Sequence, residues 1–116
     1  MQNPLAEVFL RIIEDAGREV FNICGNKIRT YVTYDGDIIQ LDLYDHRKYM
    51  VAIMVAINNH GDLLAGDIKV QYRDDTYQKV SMTDPDVDPE SFIKNAAIRI
   101  SDRFMREIQA RPELQW

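Results

Sequence analysis

The chain has 116 residues, 46% hydrophobic and 28% charged, with a formal net charge of −5 and a pI near 4.9. It reads as one small soluble domain spanning 1–116, which excludes disorder and a second domain. Cys24 is the only cysteine, so an internal disulfide and a multi-cysteine zinc site are excluded and a reducing compartment is suited. Met1-Gln2-Asn3-Pro4 shows no basic segment leading into an apolar run. The longest apolar stretch, Tyr49 to Ile57, is far short of a membrane span. A cytosolic protein without a membrane partner is expected.

Asn3 and Pro4 suit an N-cap and first helical position. Leu5, Val8, Phe9, Ile12, Ile13 and Ala16 then recur at three- and four-residue intervals as one apolar stripe. Gly17 is positioned to close this helix. Glu7 with Arg11 and Glu14 with Arg18 are spaced as (i, i+4) pairs. From Glu19 to Met82 the residues become β-branched and aromatic, separated by turn dipeptides. Val20 to Cys24 is either a short strand or an extended lead-in. Ile28–Tyr34 reads as a strand, and Asp35-Gly36 as a type I′ turn with both central residues at positive φ. The return strand is Asp37 to Tyr44, with Ile39, Leu41 and Leu43 on one face and Ile38, Gln40, Asp42 and Tyr44 on the other.

After the turn Asp45-His46-Arg47-Lys48, the run Tyr49–Ile57 reads as a central strand, because Val51, Ile53, Val55 and Ile57 alternate with smaller or unbranched residues. A buried helix is the alternative that periodicity leaves open. Asn58 to Gly66 is a connector, and Ile68–Tyr72 with Tyr77–Met82 forms a second hairpin across Arg73-Asp74-Asp75-Thr76. Asp88, Pro89 and Glu90 open a last helix running to about Ala110, where Pro112 ends it. Phe92, Ile93, Ala96, Ala97, Ile100, Phe104 and Ile108 form its buried stripe, and Lys94, Arg99, Arg103 and Arg106 its basic side. The expected fold is α+β: a meander plus hairpin of about five antiparallel strands, with both terminal helices packed on one face.

Charge is unevenly distributed. Residues 1–33 sum to zero, 34–90 to −7 and 91–116 to +2. The acidic middle opposes docking on nucleic-acid phosphates, so no direct nucleic-acid binding is expected. Asp84, Asp86 and Asp88 alternate like the opening of a calcium loop, but Pro85 and Pro89 interrupt the pattern, and the glycine and glutamate such a loop requires are missing. A proline-stiffened helix start explains them. His46 and His60, flanked by Asp45 and Asp62, would make a metal or acid–base site only if the fold joined them; solvated loop histidines are the simpler reading. Cys24 has no activating neighbours in sequence, and Gly61 and Gly66 form no phosphate loop. No catalytic, cofactor-binding or metal residue is therefore assigned, and no enzyme is expected. The six tyrosines Tyr31, Tyr34, Tyr44, Tyr49, Tyr72 and Tyr77 fit cross-strand packing or a partner-binding face. As a partner surface they would act with Asp35, Asp37, Asp74 and Asp75, whose charge would steer the approach.

Four segments carry a family likeness: Val8 to Gly17 as first helix, Asn26-Lys27-Ile28 through Ile57 as meander, Asp67 to Met82 as hairpin and Phe92 to Ile108 as last helix. In this order, and in its small size and acidic pI, the chain resembles the type III secretion chaperones and the YbjN-like proteins that share their fold. It departs from them between the third and fourth strands, where the family has a helix often used in dimerisation and only Asn58 to Gly66 is available. The resemblance implies a non-enzymatic protein that holds an extended client segment against apolar patches, as a homodimer joined near the third strand and the connector. A second reading is a small acidic inhibitor, with a phage as one source, occupying a basic site of a nucleic-acid enzyme.

Overall fold

The computed structural model of the protein describes residues 4–45 and 48–110, and only the backbone of Tyr49. Helix α1 (Pro4–Cys24) leads through a single 3-10 turn (Gly25–Lys27) into β1 (Ile28–Tyr34), β2 (Ile38–Asp45), β3 (Tyr49–Ala56), β4 (Asp67–Tyr72) and β5 (Tyr77–Ser81), and α2 (Pro89–Ala110) is the last described element. The strands form one antiparallel sheet in sequence order. The fold is the expected α+β arrangement. Tyr49–Ala56 is a strand: Val51, Ile53 and Val55 are buried on one face, while Ala52 and Ala56 are small enough to be buried on the other. The connector between β3 and β4 holds turns and one bridge, His60 to Leu63, and no helix. The expected cap at Asn3, His46 and the tail after Ala110 lie outside the described residues.

Gly17 does not end α1. Val20 and Cys24 continue the buried stripe of Phe9, Ile13 and Ala16, so tertiary packing outweighs the ~1 kcal/mol that glycine costs a helix. The helix lies close to the sheet at this point: a Cβ on Gly17 would stand 3.7 Å from Leu41 Cδ1 and 3.9 Å from Thr30 Oγ1. Gly25, at φ 59°, supplies the left-handed stop instead. Val20–Cys24 is therefore helix, neither strand nor lead-in. The β1–β2 turn also departs from expectation, because Gly36 alone has positive φ. Asp35 keeps a negative φ and holds the turn with its carboxylate, Oδ1 accepting the backbone N–H groups of Asp37 and Ile38, both at 2.9 Å. Arg18 pairs with Asp15 instead of Glu14, an exposed contact of small weight.

Both helices pack on one sheet face, α1 over β1 and β2 and α2 toward the β3–β4 end. Ile12, Ala16 and Glu19 share a recess with Glu90 and Lys94, and Cys24 Sγ lies 3.7 Å from the Ser101 carbonyl. The helices thus run parallel, with α2 starting beside the middle of α1. That stagger corrects the predicted apolar stripe. Leu5 and Val8 share the flank of Ile12 but precede the contact with α2 by one to two turns, and they are exposed. Beneath the helices lie Ile39, Leu41 and Leu43 of β2, Val51, Ile53 and Val55 of β3, and Ile68 and Val70 of β4, all buried. On α2, Asp88 precedes the first helical residue, Pro89, as expected, and its carboxylate accepts the Ser91 hydroxyl at 2.6 Å.

Candidate interaction surface

The strand order leaves β1 and β5 as the two edges of the sheet. β1 spans seven residues, roughly 23 Å at the usual rise of ~3.3 Å per residue. It carries one charge, Arg29, and no proline. Its exposed side chains lie on both faces: Tyr31 (52%) on the open face, and Val32 (39%) and Tyr34 (40%) on the helix side, at the margin of the α1 cover. Phe21 (62% exposed) is nine residues from Ile12, half a turn around α1 from the flank that meets α2. It therefore lies on the β1 side of the helix. Among the described residues, four of the eight large exposed apolar side chains thus belong to this one margin.

β5 has five residues and includes Lys79. Lys69 and Lys79 stand directly opposite each other, a like-charge pairing that the sheet relieves. The Lys69 ammonium lies 4.7 Å from the centre of the Tyr77 ring, and Lys79 Nζ lies 4.0 Å from Asp67 Oδ2.

The structure separates the predicted surface residues. Tyr31, Tyr44 and Tyr77 share the open face, where the Tyr31 and Tyr44 rings meet edge to face at 5.5 Å. Tyr34 and Tyr72 lie on the helix side: Tyr34 is exposed at the end of β1, and Tyr72 is half-buried against the core. The side chain of Tyr49 lies outside the described residues. The aspartates do not converge. Asp35 and Asp37 sit in the β1–β2 turn, while Asp74 and Asp75 sit in the β4–β5 turn at the opposite end of the sheet. Two of them perform turn chemistry. Hydrogen bonds from the Ile38 and Asp37 backbone hold the Asp35 carboxyl below its usual range. Bonds from the Thr76 hydroxyl and backbone do the same for Asp74. Asp75 adopts φ 68° in its turn.

The remaining reactive groups also have local partners. His60 Nδ1 lies 3.6 Å from Asp37 Oδ2, so its acidic neighbour is Asp37 and not Asp62. Asn58 ties the same loop to the β1–β2 turn through the Gly36 carbonyl at 3.0 Å. The Asp84 carboxylate accepts the Asp86 N–H at 2.9 Å within a turn. Cys24 is buried, and desolvation pushes its thiol above the ordinary value. No cluster of three or more His, Cys, Asp or Glu suited to a metal occurs among the described residues. No described helix is long and apolar enough to cross a membrane.

Sequence reasoning missed Phe21 and Val32. The signal for Val32 was present, since neither alternating face of Ile28–Tyr34 carries the Gln and Asp that mark the wet face of β2. β3 is paired with β2 on one side and β4 on the other, so a dimer contact through the third strand and the connector would use side chains and not strand pairing. Compared with protein-family models, curated proteins and solved structures, the chain has no match in any of the three.

Proposed function

We propose that the protein is a non-enzymatic binding module that accepts an extended segment of a partner protein as an added strand on β1, a client-holding role like the one its resemblance to the secretion chaperones implies. The supporting observation is the long, nearly uncharged β1 edge, with Tyr31, Val32 and Tyr34 exposed along it and Phe21 beside it. Backbone hydrogen bonds from β1 would supply affinity, and the side chains on its two faces would select the incoming residues. Homodimerisation is assigned to the same edge, with a second copy as the alternative occupant. The alternative reading is a small acidic inhibitor, whose carboxylates would then act in two groups, Asp35 and Asp37 at one end of the sheet and Asp74 and Asp75 at the other.

The test is selection of binders from a displayed library of linear peptides, followed by amide hydrogen exchange of the complex. Binders should protect the amides of residues 28–34, and Val32→Lys should weaken their binding about tenfold or more. Protection confined to other elements, or binding indifferent to Val32→Lys, overturns the proposal. Sedimentation equilibrium of the free protein then shows whether a second copy occupies the edge.

A further inference from the structure

The outer side of α2 carries a feature that the β1 reading does not use. Two adjoining hollows of about 430 and 680 Å³ share Tyr72, Ile100, Arg103 and Glu107, forming one groove between the C-terminal half of α2 and the end of β4. Its floor is apolar and aromatic: Ile100 and Phe104 are nearly buried, and Tyr72 is half-buried. Arg99, Arg103 and Arg106 stand along the helix at its rim, and Arg73, 3.9 Å from Asp45 Oδ2, joins them from the β4–β5 turn.

Asp74 and Glu107 are the only acids among the lining residues. This patch is therefore positive in a chain whose net charge is −5. Much of its acid is already engaged. Asp74 accepts from Thr76, and Glu107 lies 3.5 Å from Arg103. Among the described residues the Arg106 guanidinium donates only to the backbone carbonyl of Asp102, at 3.4 Å. Arg99 has no ion-pair partner among the described residues.

We infer that this groove binds an acidic peptide segment of a partner protein, with an apolar side chain on the Tyr72–Ile100–Phe104 floor and carboxylates on the arginine rim. Length favours a peptide over a small anion. From Arg99 to Ala110 the helix rises about 16 Å at ~1.5 Å per residue, the span of roughly five extended residues. Guanidinium groups pair with carboxylates in a directed, two-pronged geometry that lysines do not offer. An aromatic floor beside charged rims gives such a segment an apolar anchor as well as charge.

The experiment is fluorescence anisotropy with a labelled hexapeptide, Asp-Glu-Phe-Asp-Glu-Asp, titrated with the full chain. Saturable binding is expected, weakened about tenfold or more by Arg99→Glu with Arg106→Glu. Both positions are exposed, so the variant should fold. Glu107→Gln should tighten binding about two- to threefold by releasing Arg103, an effect that a merely structural role would not produce. Val32→Lys, at the other edge, should leave peptide binding unchanged, which separates this site from the β1 proposal. Absence of saturable binding by the wild-type chain, or equal binding by the double variant, overturns the inference. Equal affinity for a single-stranded oligonucleotide, or for the hexapeptide with Asp in place of Phe, also overturns it by showing a general polyanion patch.

Discussion

The two edges of the sheet are treated differently by the same chain. β5 is short, carries Lys79 among its five residues and continues into the turn-rich segment before α2. β1 is longer, has only Arg29 as a charge and exposes aromatic and β-branched side chains on both faces. Charge and brevity are the usual defences against unwanted strand pairing, and a long edge with a single charge at its start has little of either. The contrast teaches that exposure at β1 does not come merely from lying at the rim. β5 lies at a rim too, but it exposes a single large apolar side chain, Tyr77, 4.7 Å from the Lys69 ammonium, where β1 exposes three.

The most severe way to break the comparison is to remove the sheet that carries both edges. Ile53 is fully buried at the centre of β3. Ile53→Asp should cost about 4 kcal/mol or more through an unpaired buried charge and unfold much of the protein. Circular dichroism with urea titration would show it, and a stability near wild type would mean that this strand is not core. Next in size is the edge test itself. Val32→Lys should weaken β1 binders about tenfold or more, because a charge would oppose the apolar contact. Gln78→Lys, at an exposed position on β5, should leave those binders unaffected, and both variants should melt near wild type. Equal losses from the two would erase the distinction between the edges.

A smaller effect sharpens the comparison from beneath β1. Gly17→Ala adds a methyl at ordinary contact distance from Leu41 and Thr30 and removes a helix-interior glycine. It should stabilise the fold by about 0.5–1 kcal/mol in urea titration while leaving binding at β1 unchanged.

The smallest effect concerns the turns, one in each edge hairpin. Asp35 and Asp74 have carboxyls held below their usual range by turn hydrogen bonds. A carboxyl with a depressed folded pKa contributes stability above its unfolded pKa, about 3.9, and that stability is lost as pH falls through the folded value. Asp35→Asn and Asp74→Asn should therefore each be slightly less stable than wild type at neutral pH, with the difference vanishing in strong acid. Thermal melts between about pH 2 and 7 would reveal an unchanged gap if the carboxylate charge has no role.

Much of the architecture was legible because it rests on local chemistry. The alternation of Ile39, Leu41 and Leu43, the branched face of Tyr49–Ile57 and the Asp88-Pro89 helix start each specify an element through nearby residues. The end of α1 was not legible. Gly17 has the local signature of a stop, and only its seat above Leu41 and Thr30 makes it an interior residue. The candidate surface was legible in part. Tyr31 and Tyr34 were marked by type, but the tyrosines divide between two faces and the aspartates between two ends once the strands pair.

The sequence by itself determined the antiparallel hairpins, the position of α2 and most of the elements, though not the kind of element at Val20–Cys24, because periodicity, turn residues and caps act over a few residues. Tertiary structure decided which strands are edges, where the stagger of the helices leaves Leu5 and Val8 uncovered, and that Phe21 and the β1 side chains form one margin. These depend on contacts between residues distant in sequence, such as Cys24 with Ser101 and Ile12 beside Glu90, which no local pattern encodes.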